Sequence, residues 1–313
     1  MRIAVTGARG RLGRALCEAL TDAAFAGPAA VFPWSRPDYD LDDLGAAERL
    51  LARDRPDLVV HAAAWTDVDG CARHPQLANR RNGEATDALA RACLGTGSDL
   101  LVISTNEVFD GRRPDRRGYR PNDRVGPINA YGESKLAGER AARGAFGVSS
   151  SNAAGGSGPR LGIIRTAWLF GPPGNDFPTK ILAAAERARV VGEPLHVVSD
   201  EIGSPTYTPD LAASIVALVG TGGYGGLRHI VNGGQASRAD WAREILRQAG
   251  VDVIVEDIAS TAWPRASTPP AWAVLASDVP VRPWPEAMAA YLPRIMQASV
   301  GSGPPRDARV TLA

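Results

Sequence analysis

Residues Thr6–Gly13 read TGARGRLG, with glycines at 7, 10 and 13. This octapeptide lies between a compact apolar run, Ile3–Thr6, and a helical stretch from about Leu12 to Ala23. Each glycine has a reason. Gly7 allows a tight turn, Gly10 lets the backbone approach a pyrophosphate, and Gly13 lets the following helix pack close to the strand. The helix N-terminus behind the loop offers free N–H groups to an anion. A glycine triplet alone also marks a tight turn in other α/β proteins. At the first strand of a βα chain, however, dinucleotide binding is the stronger reading.

The rhythm that follows fits this reading. Ala30–Trp34, Asp57–Ala62, Asp99–Ser104 and Leu161–Arg165 read as strands, with helices near Gln76–Cys93 and Tyr131–Arg143. Strand and helix alternating in this way predict a Rossmann-like, doubly wound parallel sheet, helices on both faces. The expected division is a dinucleotide-binding domain over 1–166, completed by a helix near 209–219, and a smaller, mixed substrate-binding domain over 167–299. Ser- and Gly-rich Gly147–Gly158 reads as a flexible surface loop, and 300–313 as a disordered tail.

Composition excludes several classes. The chain has 313 residues and a formal net charge of +1, so nothing in its global charge asks for a nucleic acid or an anionic membrane. No apolar run approaches the roughly 20 residues that span a bilayer. MRIAVTGARG does not open like a signal peptide. Three separated cysteines, Cys17, Cys71 and Cys93, give neither a disulfide framework nor a zinc spacing, which favours a cytoplasmic location. The four histidines are isolated, so no metal site is expected. His61, His196 and His229 read as buried residues beside apolar runs.

Arg9 and Arg11 sit in the glycine loop, and Ser35-Arg36 follows the second strand. An acidic residue there usually receives the ribose 2′-hydroxyl of NAD, whereas a cationic fork suits a 2′-phosphate. NADPH is therefore expected. Asp38 and Asp40 nearby leave NADH open. The alternative is that these arginines are merely solvated in an arginine-rich chain. Of the 35 basic residues only Lys135 and Lys180 are lysine. Lys135 follows Tyr131 by four positions, so phenol and ammonium share a helix face. A nearby ammonium stabilises a phenolate, so the phenol's pKa is expected to be lowered. Ser104-Thr105-Asn106 ends a buried strand, where ligands of open α/β sheets bind.

Together these pieces resemble the extended short-chain dehydrogenase/reductases, and within them the dTDP-4-dehydrorhamnose reductases and related nucleotide-sugar 4-ketoreductases. The resemblance runs from Met1 to about Gln297. Its carriers are Ala62–Asp69 (AAAWTDVD), Asn82, Ser104–Gly111 (STNEVFDG), Ala130–Glu139 (AYGESKLAGE), Arg165–Gly171 (RTAWLFG) and Asp200–Thr206 (DEIGSPT). It implies Thr105, Tyr131 and Lys135 as catalytic residues. It implies a cofactor site of Gly7, Arg9, Gly10, Arg11, Leu12, Gly13, Ser35, Arg36, Asp40, Leu41, Ala62, Ala63, Ala64 and Thr66 together with Tyr131 and Lys135. Val68, Asn106, Glu107 and Trp168 are the implied substrate contacts, and Arg265 is a candidate for the diphosphate. The family commonly has S-T-D-Y-V-F where this chain has Ser104-Thr105-Asn106-Glu107-Val108-Phe109. Here Asn106 and Glu107 are expected to face the cleft and select the sugar, the alternative being that Glu107 turns away and caps a loop. The loop before Tyr131 is also longer and more basic than usual.

The activity so implied belongs to deoxysugar biosynthesis: reduction by NADPH of the 4-keto group of a 4-keto-6-deoxyhexose, probed most naturally as a dTDP-linked substrate. Tyr131 would donate the proton and Thr105 hold the oxygen. A homodimer is compatible with the resemblance. Two other readings share its scaffold, a nucleotide-sugar epimerase or dehydratase, and a non-catalytic cofactor-binding regulatory subunit. An intact Tyr131/Lys135 pair speaks against the last.

Overall fold

A computed structural model describes residues 1–23, 25, 29–147 and 158–301, with side chains through 297. The central sheet joins β1 (Arg2–Thr6), β2 (Ala30–Trp34), β3 (Leu58–His61), β4 (Asp99–Thr105), β5 (Leu161–Thr166) and β10 (Gly226–His229), in the order β10-β5-β4-β3-β1-β2. All five pairings are parallel. The remaining strands form short pairs: β6 (Leu169–Phe170) with β9 (Thr206–Tyr207), β7 (Leu195–Val198) with β12 (Val255–Ile258), and β8 (Ile202–Gly203) with β11 (Ala236–Ser237). The helices are α1 (Arg11–Asp22), α2 (Ala46–Asp54), α3 (Val68–Arg73), α4 (Pro75–Ala78), α5 (Ala85–Thr96), α6 (Ala130–Ala145), α7 (Phe177–Val191), α8 (Thr208–Gly220), α9 (Arg238–Ala249) and α10 (Trp284–Gly301).

The strands form because nearly continuous apolar runs are covered on both faces. Ile3 and Val5 point to one layer, where Leu16 and Leu20 of α1 meet Leu211 and Ile215 of α8. Ala4 points to the other, with Val59, Leu100, Val102 and the α2 and α5 side chains Leu50, Leu51 and Leu89. A separate core holds Phe170, Trp241, Tyr291 and the inner faces of α7, α9 and α10. Capping boxes, Asp176 with Thr179 and Ser237 with Asp240, start α7 and α9. Each cap satisfies N–H groups that the first turn leaves without helical partners.

Several details differ from the sequence expectations. The helix expected near Gln76–Cys93 is α4, a π-helical turn over Asn79–Glu84, and α5. His196 is not buried: it stands on the outer face of β7, 3.4 Å from Glu256 Oε2. His61 and His229 are buried as expected. The tail segment expected from 300 onward begins inside α10, and residues 302–313 lie outside the described residues, as does most of the Gly147–Gly158 loop. Among the described residues no helix is long and apolar enough to cross a membrane.

Candidate active site

The C-terminal ends of β1, β3, β4 and β5 open onto one continuous cleft, which divides into two cavities. The first, of about 450 Å³, is walled by Gly7, Arg9, Gly10, Ser35, Arg36, Tyr39, Asp40, Leu41, Ala62, Ala63, Ala64, Trp65 and Arg81. The second, of about 400 Å³, shares Gly7, Gly10, Ala62 and Ala64 and adds Arg11, Leu12, Gly13, Thr66, Val68, Thr105, Asn106, Glu107, Tyr131, Lys135, Thr166 and Trp168. Every catalytic, cofactor and substrate candidate named from the sequence thus lies on this cleft, except Arg265, which pairs with Glu201.

The glycine loop is built for a close ligand. Gly7 has φ +65°, and a Cβ there would lie 2.8 Å from Ala63 Cα. A Cβ on Gly13 would lie 2.1 Å from Gly7 O. Gly10 is the N-cap of α1, makes no side-chain cap, and no acidic residue follows in the first turn. Its N–H groups therefore face an anion site with nothing of like charge to oppose one. Thr6 Oγ1 accepts from Ala63 N at 3.0 Å and lies 2.8 Å from His61 Nδ1. Burial and Lys135 push His61 down to about 3, so it is a neutral strut. Asn82 locks the opposite wall. It accepts from Trp65 N at 2.8 Å and donates to Trp65 O and Ser134 Oγ, each at 3.0 Å.

Ser35 Oγ accepts from Arg9 N at 3.1 Å, and Arg9 Nη1 donates to Arg36 O at 3.2 Å. Neither Arg9 nor Arg36 forms an ion pair among the described residues, so two arginines that line the first cavity have no carboxylate at contact distance. Thr166 Oγ1 and Arg11 Nε, atoms of two residues that line the second cavity, are buried without hydrogen-bond partners. Buried polar atoms of this kind call for a polar ligand. Glycine cradle, free cations and unpartnered donors together fit a phosphate-bearing dinucleotide.

Thr105 ends β4, and the next turn, Asn106–Val108, folds back under α6. Gly132 permits that packing: a Cβ there would sit 2.1 Å from Glu107 O. Asn129 caps α6 by accepting from Gly132 N at 2.8 Å, and its amide donates to Glu107 Oε2 at 2.6 Å. Burial pushes the Tyr131 phenol up, the Glu107 charge adds to this, and the Thr105 hydroxyl works against it. The phenol is therefore not the lowered one expected from its lysine. Lys135 is buried and its Nζ donates to Ile103 O at 2.8 Å. Burial lowers it to about 8, with Glu139 opposing. Glu139 is itself held by Arg165, at 2.8 and 2.7 Å, and by Ser104 Oγ at 2.6 Å.

Asn106 lines the cavity, but its amide donates to Ala273 O at 3.2 Å and its carbonyl accepts from Thr105 Oγ1. It ties the β4 end to the second half more than it offers itself to a sugar. Glu107 is the freer of the pair. Burial raises its pKa, while Asn129, Arg238 and Arg265 oppose the shift. Trp168 closes the cavity at φ +43°, with Gly203 against its indole and the Arg238 guanidinium 3.7 Å from its ring centroid. Sequence reasoning missed Asn129, Thr166 and Arg238. Asn129 was recoverable as an Asn directly before a helix.

The sequence matches the RmlD substrate binding domain family over residues 1–295. It is 34% identical over 302 residues to a dTDP-4-dehydrorhamnose reductase of Mycobacterium tuberculosis, covering 93% of this chain and 92% of that one. It is 33% identical over 300 residues to a dTDP-4-keto-6-deoxy-D-glucose reductase of Streptomyces niveus, covering 92% and 96%. Among solved structures, a dTDP-4-dehydrorhamnose reductase of Bacillus anthracis in complex with NADP superposes with a TM-score of 0.81 at 27% identity, covering 94% and 99%. With the family matched across almost its whole length and the glycine loop, strand-end threonine and Tyr131/Lys135 helix gathered on one cleft, the chain belongs to the RmlD substrate binding domain family.

Proposed function

We propose that this protein reduces the 4-keto group of a dTDP-linked 4-keto-6-deoxyhexose with NADPH, with dTDP-4-dehydrorhamnose the first candidate. The observation that carries the reading is the single cavity shared by Gly7, Gly10, Thr105, Tyr131 and Lys135. On this reading residues 1–166, with α8, hold the cofactor, and 167–299 mainly hold the sugar nucleotide. Ser35, Arg9 and Arg36 take the ribose 2′-phosphate, and the α1 N-terminus takes the pyrophosphate.

When bound, NADPH supplies the hydride that adds to C4. Negative charge then develops on the former keto oxygen. Tyr131 donates a proton to it, and Thr105 donates a hydrogen bond once it releases Asn106 Oδ1, now 3.2 Å away. The raised phenol pKa serves this direction, because the group that must give a proton is fully protonated at neutral pH. The Lys135 ammonium lies on the same helix face and offsets charge left on the phenol after transfer.

Glu107 is the feature that speaks for epimerisation or dehydration, since it brings a carboxylate to the same cavity. Net cofactor consumption separates the two chemistries. Reduction oxidises one NADPH per sugar, whereas an epimerase or dehydratase returns its cofactor. The test is absorbance of NADPH with dTDP-4-dehydrorhamnose, followed by NMR of the product. Stoichiometric oxidation with a new C4 carbinol proton supports reduction, and sugar conversion without it refutes the proposal.

A further inference from the structure

On the proposed function, the cofactor half and the sugar half of the site have to be held together across the cleft. Arg11 opens α1 at the mouth of the glycine loop. Its side chain crosses the cleft. Nη2 donates to Gly174 O and Asn175 O at 3.0 Å each, and Nη1 reaches Leu169 O at 3.5 Å. All three carbonyls belong to the segment from Trp168 to Asp176, whose first two residues line the second cavity.

That segment is conformationally demanding. Trp168, Gly171, Gly174 and Asn175 have φ of 43°, 136°, 100° and 54°. Two of them are not glycine, and such conformations persist only where the surroundings over-determine them. Asp176 supplies one restraint by accepting from Gly171 N at 2.8 Å. The pairing of β6 with β9 supplies a second, and Arg11 a third. Its Nε is buried, without a partner, in a residue that lines the cavity between the glycine loop and Trp168. A buried cationic N–H lacking an acceptor is costly, and an anion at the α1 N-terminus would relieve that cost.

We propose that Arg11 is a positioning residue that couples the two ligands: its Nε–H answers the cofactor pyrophosphate while its Nη atoms hold the Trp168 segment in the shape that receives the sugar nucleotide. Filling either site then pre-orders the other, and the coupling is reciprocal.

The test is calorimetric titration of NADPH with and without saturating dTDP-L-rhamnose. This pair cannot react, because the cofactor is reduced and C4 already carries a hydroxyl. Wild type, Arg11→Lys and Arg11→Met are compared, with thermal unfolding of each. Wild type should bind NADPH at least about fivefold more tightly when the sugar nucleotide is present. Arg11→Lys keeps a charge but not the planar fork that reaches both sides, so the ratio should collapse to within about twofold of unity whatever its NADPH affinity without the sugar. Arg11→Met should lose the ratio and weaken NADPH about tenfold. A merely structural strut would lower Tm and weaken both ligands while keeping the wild-type ratio. That result, or no coupling in the wild type, overturns the proposal. Binding and turnover with an unchanged ratio in Arg11→Lys would remove the role of Arg11 alone. A wild type that binds neither ligand would remove the functional reading as well.

Discussion

Gly10 and Gly13 lie three residues apart in one loop, yet alanine at the two positions should fail in different ways. At Gly13 the new Cβ would sit 2.1 Å from Gly7 O, 2.7 Å from Gly7 C and 2.8 Å from Ala8 Cα, all backbone atoms. Relief requires α1 to move away from β1 by about 1 Å, in a core where overpacking costs about 1–3 kcal/mol and sometimes more. Alanine returns about 1 kcal/mol of helix propensity. A 2.1 Å clash with backbone puts the overpacking at the upper end of that range, so the net loss should be about 2 kcal/mol, a fall in Tm of about 4–8 °C. At Gly10 the Cβ would approach only Gly7 O, at 3.1 Å. Its φ of −73° and ψ of 169° suit any residue. Gly10→Ala should thus melt within about 2 °C of wild type. Its methyl would project where the two cavities join, so NADPH affinity should fall at least about tenfold, a cost of about 1.4 kcal/mol. Thermal unfolding without ligand and fluorescence titration with NADPH measure the two quantities separately. Normal NADPH binding by Gly10→Ala, or equal melting of the two variants, would refute the assignment of Gly10 to the ligand and Gly13 to packing.

Tyr131→Phe should bind NADPH normally and lose about 10²–10⁴-fold in kcat, checked by titration and steady-state turnover; retention of a tenth of wild-type activity would assign the proton to another group. Lys135 titrates at about 8, below the ordinary lysine value, so its ammonium is present below that pH and lost above it. Activity that needs the charge should decline as pH rises through about 8, while stability should rise between about 8 and 10.4 by about 3 kcal/mol, because the unfolded chain binds the extra proton there. A pH–rate profile and denaturant unfolding across pH 7–10 check both signs, and a flat profile contradicts them. Arg36→Asp should shift the ratio of kcat/KM from NADPH toward NADH, since an acid repels a 2′-phosphate and accepts from a 2′-hydroxyl; an unchanged ratio means that Arg36 does not touch the ribose.

The parallel sheet was legible where strands are buried on both faces, as in Leu58–His61 and Asp99–Thr105, because a short apolar run between turn residues has few other uses. The sixth strand, Gly226–His229, was not. It is an edge strand, half-exposed, and GLRH shows neither an apolar run nor a strict alternation. The site divides along the same line. Thr105 at a strand end and Tyr131 with Lys135 at helical spacing could be read locally. Thr166 reaches the cavity, and Arg238 reaches the Trp168 that lines it, only through the sheet register and the packing of α9 on Trp168, contacts that span tens of residues. The direction of the Tyr131 shift was hidden for a related reason. Spacing put the lysine on the right face, but only the fold shows its Nζ taken by Ile103 O and Glu107 facing the phenol.

Hydride transfer to C4 is tested most directly by a single turnover of dTDP-4-dehydrorhamnose with NADPH carrying deuterium at the transferable position, read by NMR of the product. Hydride transfer to C4 predicts one deuterium at C4 in every product molecule and one NADP formed per sugar, both appearing about 10²–10⁴-fold more slowly in Tyr131→Phe. Product with hydrogen only at C4, or deuterium retained in the cofactor while the sugar is converted, would contradict it.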